Sequence, residues 1–438
     1  MSKSTFYLTL IAIFFIAIIL RAYTFVFPHD HGDQIIYAAL AQNIADGKPY
    51  NLLKTGFSKT NISGFAFINY HSVTTNNSIA QLYQRIGVNL YSDNIFYRPP
   101  LFPFFIQLFN QPILSFDLPR KRFRSSNFFF LWLKKQSFEN LFLIAKKQFA
   151  VTFPSFFGSM LILFGVIFIA SRFSKFTAVW AGLITALAPV DIFCASRVLP
   201  DSLMTALLLW AFIFAIYASQ KLNIIFAMII MLTSIYIKES AAIIFFAAFF
   251  IIAIKNKYSC KLFILSFASI IFILSWVFIL FINNGHYLSR TYSHIFSTVL
   301  VSQPLQTNWY NAISSRSYFY HYIFPFRLYP VLFFSFLYCY HAIKEKKIWQ
   351  NYLLIVPLIT IIIISAARLS EARQILPAYP FLFIATALGL EKFRKAMNSH
   401  FQLAAGFVII LSIIIFSAYL AYIKIYPSLF CNAGDIFI

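Results

Sequence analysis

The sequence predicts an all-α polytopic membrane protein, and three observations carry that prediction. Apolar residues fill 60 % of the 438 positions, against roughly 45–50 % in soluble proteins. Runs such as Leu262–Ile282 and Phe401–Ile423 hold no charge and reach the ~20 residues that cross a bilayer core. Charged residues, 11 % of the chain, gather between those runs. With a mean hydropathy of +0.75, a soluble multidomain protein is excluded.

Taken in order, the apolar runs predict spans at Phe6–Phe25, Phe149–Ser171, Phe176–Val190, Leu203–Ala218, Leu222–Tyr236, Ala241–Ile254, Leu262–Ile282, Leu328–Ile343, Tyr352–Ala367, Ile375–Leu390 and Phe401–Ile423. That is about 11 helices, or 12 if Pro99–Phe116 also crosses. Four prolines in that stretch favour a helix lying on the interface instead. Several spans hold only about 15 residues, or ~22 Å, and must borrow flanking residues or thin the bilayer. The first run lies between Lys3 and Arg21. No small-x-small cleavage site follows it, so it reads as an uncleaved span, with Arg21 snorkelling to the interface.

Basic residues set the orientation. With the N-terminus in the cytoplasm, the inner loops carry Arg172 and Lys175, Lys221, then Lys255, Lys257 and Lys261, then Lys344, Lys346 and Lys347, and finally Lys392, Arg394 and Lys395. The inner side then keeps only Glu345 and Glu391. The other carboxylates fall outside: Asp30, Asp33, Asp46, Asp93, Asp117, Glu139, Asp191, Asp201, Glu239, Glu371 and Asp435. Chemistry is therefore expected on the outer face. The chain reads as one transmembrane domain, 1–438, with a first extracytoplasmic loop over 26–148 and a second over 283–327. Within the first loop, Asp33–Asp46 reads as a helix with Gly47 as C-cap, and 117–148 as a basic, aromatic membrane-surface segment.

The formal charge of +22 suits basic loops on anionic lipid, and no nucleic-acid partner is expected. The four cysteines, Cys194, Cys260, Cys339 and Cys431, form no CxxC pair; unpaired residues are expected, with a Cys194–Cys431 bridge as the alternative. Abundant Phe, Ile, Lys and Asn point to an AT-rich genome, hence a bacterial inner membrane.

Five short stretches could carry chemistry. Asp33, in Gly32-Asp33-Gln34, opens a helix, where the dipole favours a carboxylate; it is either a cap or a catalytic group. His29, Asp30 and His31 beside it could gather a divalent metal, or be solvated loop residues. Arg98, before Pro99-Pro100-Leu101, sits where a guanidinium can grip a lipid phosphate or simply snorkel. In Ser196-Arg197-Val198-Leu199-Pro200-Asp201-Ser202, Arg197 and Asp201 could pair with each other. Lys238-Glu239 is an ion pair or a phosphate-binding lysine, and Arg373 before Leu376-Pro377 is a phosphate ligand or an interface anchor. Ionisable groups at membrane depth are functional candidates by default.

In this order the stretches resemble the GT-C glycosyltransferases, in the branch of dolichyl-phosphate-mannose protein mannosyltransferases and aminoarabinose transferases. The likeness runs through Gly32-Asp33-Gln34-Ile35-Ile36-Tyr37, Ala41-Gln42-Asn43-Ile44-Ala45-Asp46-Gly47, Arg98-Pro99-Pro100-Leu101, Ser196–Ser202, Lys238-Glu239 and Arg373–Pro380. Gln34 departs from the family, which commonly has a second acidic residue there, and 117–148 looks like an insertion.

The resemblance implies a polyprenyl-phosphate sugar donor, a lipid, glycan or protein acceptor and an inverting single displacement. It implies Asp33 as the catalytic carboxylate and Arg98, Lys238 and Arg373 as donor-phosphate ligands, supported by Tyr37, Arg197, Asp201 and Glu239. No cofactor is required, though a divalent metal would be compatible. The competing readings are a transporter or flippase of lipid-linked sugars, and an enzyme of the O-antigen polymerase or ligase type. A transporter predicts charged span interiors or broken helices in paired halves, and neither is evident in the sequence.

Overall fold

The computed structural model describes residues 2–25, 32–47, 99–110, 134–217, 221–255, 259–284, 329–345, 351–366 and 372–396, with 408, 411 and 415. These residues are helical throughout, joined by short turns. The helices are α1 (Lys3–Thr24), α2 (Gly32–Ala45), α3 (Leu101–Asn110), α4 (Phe138–Ser171), α5 (Lys175–Ala186), α6 (Pro189–Ala195) and α7 (Asp201–Tyr217). They continue with α8 (Lys221–Ile237), α9 (Ser240–Lys255), α10 (Ser259–Asn284), α11 (Phe334–Lys344), α12 (Tyr352–Ala366) and α13 (Tyr379–Ala396). Short 3-10 turns, Pro330–Phe333 and Ala372–Ala378, lead into α11 and α13.

Among the described residues, Lys3–Thr24, Phe138–Ser171, Cys260–Ile279 and Ile375–Ala396 are each long and apolar enough to cross a bilayer. The α5–α6 pair is long and apolar enough when taken together, and is bent by 57° at its break. Shorter apolar helices run over Asp201–Ile216, Asn223–Ile237, Ser240–Ile254 and Tyr352–Ile363. The chain is a multi-pass membrane protein. Its outward face fits that solvent: Ile11 and Phe15 of α1, Ile271 and Phe278 of α10 and Ile362 of α12 are exposed, as lipid contact requires. The interior is a continuous aromatic and aliphatic core in which Phe212 of α7 meets Phe249 of α9 at 4.4 Å and Phe381 of α13 at 5.5 Å.

Several expected boundaries move, each for a local reason. α4 begins at Phe138, ten residues before Gln148, the expected end of the first outer loop. Ser137 caps it by accepting the Asn140 N–H at 3.2 Å, and Glu139 stands in its first turn, where the dipole favours an anion. A helix can outrun its apolar run: Lys146 and Lys147 end the hydropathy signal, not the hydrogen-bond ladder. The end of the presumed insertion is thus the start of a span; residues 111–133 lie outside the described residues. Between Phe176 and Val190 the expected straight span breaks. Ala188 is extended (φ −66°, ψ 116°) and Pro189 restarts the helix as α6, as a ring without an N–H can only at a first turn. Within Pro99–Phe116, Leu101–Asn110 is helical and the residues from 111 on lie outside the described residues. Of the last expected span, residues 408, 411 and 415 are helical and the remainder lies outside the described residues.

Arg21 does not snorkel. It is fully buried, donating from Nη2 to Asp191 Oδ2 at 2.6 Å, from Nε to Ser159 Oγ at 2.6 Å and from Nη1 to the carbonyls of Ala17 and Ala186 at 3.0 and 3.2 Å. Ser159 donates to the same Asp191 oxygen at 2.7 Å. Asp191, expected in an outer loop, therefore sits inside α6 and ties the bent pair to α1 and α4. Removing one partner of a buried ion pair leaves the other charge uncompensated, which costs about 3–5 kcal/mol. Arg21→Met alone should thus lower the melting temperature of the purified protein sharply. Arg21→Met with Asp191→Leu, which removes both charges, should recover much of that loss.

At the opposite end of α5 and α13, Glu391 accepts from Ser174 Oγ at 2.8 Å and from Thr177 Oγ1, and pairs with Lys395 at 3.0 Å. Arg394 lies over the Phe176 ring at 4.5 Å. This is the basic end of the bundle, with Arg172, Lys175, Lys344 and Lys395, and it closes on α13.

Candidate functional site

The site is built at the other end, where α6 turns into α7. The turn Ser196–Pro200 is pinned from α4: Ser155 donates to the Leu199 carbonyl at 2.8 Å. Beside it, Gly158 lets α4 and α7 touch; a methyl there would stand 2.5 Å from Leu203 Cα. The close approach sets Asp201 at the first residue of α7, a position the helix dipole favours for a carboxylate.

Asp201 is fully buried and two cations reach it. Lys238 Nζ, from the turn between α8 and α9, donates to Oδ1 at 2.6 Å. Arg373 Nη1, from the 3-10 turn before α13, stands 3.8 Å from Oδ2. The sequence left Arg197 and Asp201 as a pair; Asp201 is instead held across the bundle by Lys238 and Arg373. Arg197, four residues earlier, lies over the Phe193 ring at 5.4 Å, while the α8–α9 turn and the 3-10 turn both deliver cations to the same bundle end.

The two cations keep side-chain exposures of 20 % for Lys238 and 16 % for Arg373, against 0 % for Asp201. Lys238 gives one hydrogen bond to Asp201 from an ammonium that carries three donors. Glu239 and Arg197 are buried at this end. Cys194 is buried and free; Cys431 lies outside the described residues.

The layer carrying the other expected residues lies at the same end. Tyr37 of α2 is buried and meets Phe102 of α3 edge-on at 5.1 Å. Phe109 of α3 packs on Phe153 of α4 at 4.7 Å, two residues from Ser155. Gly47, at φ 63°, ends the first outer helix as expected, in the left-handed conformation that glycine adopts without cost. Asp33 lies in the first turn of α2, its side chain outside the described residues. His29, Asp30, His31, Arg98 and Glu371 lie outside them too. Among the described residues, no three His, Cys, Asp or Glu side chains gather in a metal-binding group.

No family model and no curated protein sequence matches this chain. Its architecture does match solved structures. ArnT from Cupriavidus metallidurans bound to undecaprenyl phosphate superposes with a TM-score of 0.57 over 99 % of this chain and 75 % of that one, at 10 % identity. The chain has the ArnT fold. Apo ArnT from the same organism gives a TM-score of 0.55 at 11 % identity over the same shares. The fold expected from the ordered motifs is therefore the one observed.

The sequence reading passed over two features of this end of the ArnT-like bundle, Asp191 and Gln148. Asp191 looked like a loop residue because it follows an apolar run of span length. Gln148 looked like a loop end because it follows Lys146 and Lys147. A 3–4 spacing of polar residues, Gln148, Thr152, Ser155 and Ser159, was the available signal: it places one polar stripe on one face of α4.

Proposed function

We propose that this protein transfers a sugar from a polyprenyl-phosphate donor to a lipid, glycan or protein acceptor, at the extracytoplasmic face of a bacterial inner membrane. The observation that carries the proposal is the Asp201–Lys238–Arg373 group. A fully buried carboxylate holds two mostly buried cations at one end of an ArnT-like fold, and an ArnT of that fold was solved with undecaprenyl phosphate bound. A polyprenyl tail cannot leave the bilayer, so its phosphate must be met at a span end. Lys238 and Arg373 are cations at such an end.

The chemistry follows from charge. In a single displacement the acceptor attacks the anomeric carbon and the polyprenyl phosphate leaves as an anion. A phosphate leaving group needs no proton. It needs cations placed where its charge grows, and a water-poor site makes their effect large. Asp201 keeps Lys238 and Arg373 in place before the donor arrives. Arg373, a planar guanidinium 3.8 Å from Asp201, suits a bidentate phosphate contact; Arg98 adds a further guanidinium. Asp33, at the start of α2, takes the acceptor proton as general base. Tyr37 fixes α2 on α3, and Arg197 and Glu239 complete the polar lining.

Membranes containing the protein, supplied with labelled polyprenyl-phosphate sugars (glucose, mannose and 4-aminoarabinose among them), should release label from one donor into an acceptor. Nucleotide sugars should not replace it. Turnover of a nucleotide sugar by the purified protein would exclude the reading.

A further inference from the structure

The polar stripe on α4 has an unused outer rung. Ser159 hydrogen-bonds Asp191 and Arg21, and Ser155 holds the Leu199 carbonyl. Thr152 donates to the Gln148 carbonyl of its own helix at 2.7 Å. Gln148 itself is fully buried, yet among the described residues neither its side-chain oxygen nor its nitrogen has a hydrogen-bond partner. Seven residues separate it from Ser155, so it sits about 10 Å further out along the same face. Ser155 marks the level of the turn that delivers Asp201, so Gln148 lies outward of that turn. Ser202 Oγ and Thr205 Oγ1, in the first turns of α7, are also buried without hydrogen bonds.

A buried amide left with both ends unsatisfied costs stability, and such groups are rare enough to require a reason. An apolar residue of equal length would serve packing better at this position. The amide carries both a donor and an acceptor and no charge. It is therefore poorly matched to a phosphate, which Lys238 and Arg373 already serve, and well matched to a hydroxyl, which also gives and takes one hydrogen bond.

We infer that Gln148 is a sugar-binding residue, its amide hydrogen-bonding ring hydroxyls of the transferred sugar or of a glycan acceptor. The inference rests on the donor reading above and deepens it: the cations bind the phosphate, and the outer end of α4 reads the sugar.

The test compares full-length wild type with Gln148→Met, which keeps length and removes the amide. Binding of undecaprenyl phosphate, and of whichever labelled undecaprenyl-phosphate sugar the wild type uses, is measured on purified protein, together with the acceptor KM. The variant should melt at the same temperature as wild type or a few degrees higher. It should bind undecaprenyl phosphate as wild type does. One of two quantities should worsen about tenfold, the loss of one hydrogen bond or so. Weaker binding of the sugar-bearing lipid assigns the contact to the donor, and a raised acceptor KM assigns it to the acceptor. If both quantities are unchanged, or if the variant melts several degrees lower, Gln148 is not a sugar ligand. Wild-type protein that binds neither lipid overturns the donor reading and this inference with it. Wild type and variant that both prefer the sugar-bearing lipid equally, at the same acceptor KM, overturn the inference alone.

Discussion

Asp33→Asn should lower sugar transfer by about 10²–10⁴-fold, the usual contribution of a positioned general base, while leaving binding of undecaprenyl phosphate near wild type. The two readouts separate because the assigned roles separate. Asp33 acts on the acceptor proton, whereas the lipid phosphate is held by Lys238 and Arg373. The substitution keeps size and hydrogen bonding and removes only the charge and the basicity. As Asp33 lies in the first turn of α2, the neutral variant forfeits a favourable dipole interaction of about 0.3–1 kcal/mol, too little to unfold the protein. A turnover number close to wild type would take Asp33 out of the mechanism and return it to the role of a helix cap.

Arg373→Ala should weaken undecaprenyl phosphate binding by about 10–100-fold, which corresponds to about 1.4–2.8 kcal/mol. Charge-assisted, bidentate contacts to phosphate lie in this range or above it. Folding should suffer less, because Arg373 stands 3.8 Å from Asp201 whereas Lys238 donates to it at 2.6 Å. Lys238→Ala is the informative counterpart. It removes the nearer cation from a fully buried carboxylate, so it should lower thermal stability as well as affinity. Equal melting temperatures for the two variants would contradict this division of labour, and unchanged lipid affinity in Arg373→Ala would remove it from the phosphate site.

Membrane class and helix order were legible because hydropathy and basic clusters are local signals. The motif order carried the GT-C likeness, which the ArnT superposition matches in fold at only 10 % identity. Single residues were less legible. Arg21 looked like a snorkelling end residue because sequence shows that it ends an apolar run, not that Asp191, 170 positions later, lies within 2.6 Å. Asp201 looked paired with Arg197 because sequence offers the nearest opposite charge, whereas folding brings Lys238 and Arg373 to it from two other turns. Helix breaks were half legible: Pro189 was visible, but its position at a first turn needed the extended Ala188 before it. The polar stripe of α4 was hidden by its composition, since Gln, Thr and Ser in a helix read as packing until their partners, or the lack of them, are known.

The most direct measurement is a cryo-EM structure of the protein in lipid nanodiscs with undecaprenyl phosphate. The account predicts phosphate density within hydrogen-bond reach of Arg373 and Lys238, with the carboxylate of Asp33 opening onto the same crevice. Phosphate at the basic end near Arg172 and Lys395, or Asp33 facing open solvent far from Arg373, would contradict it.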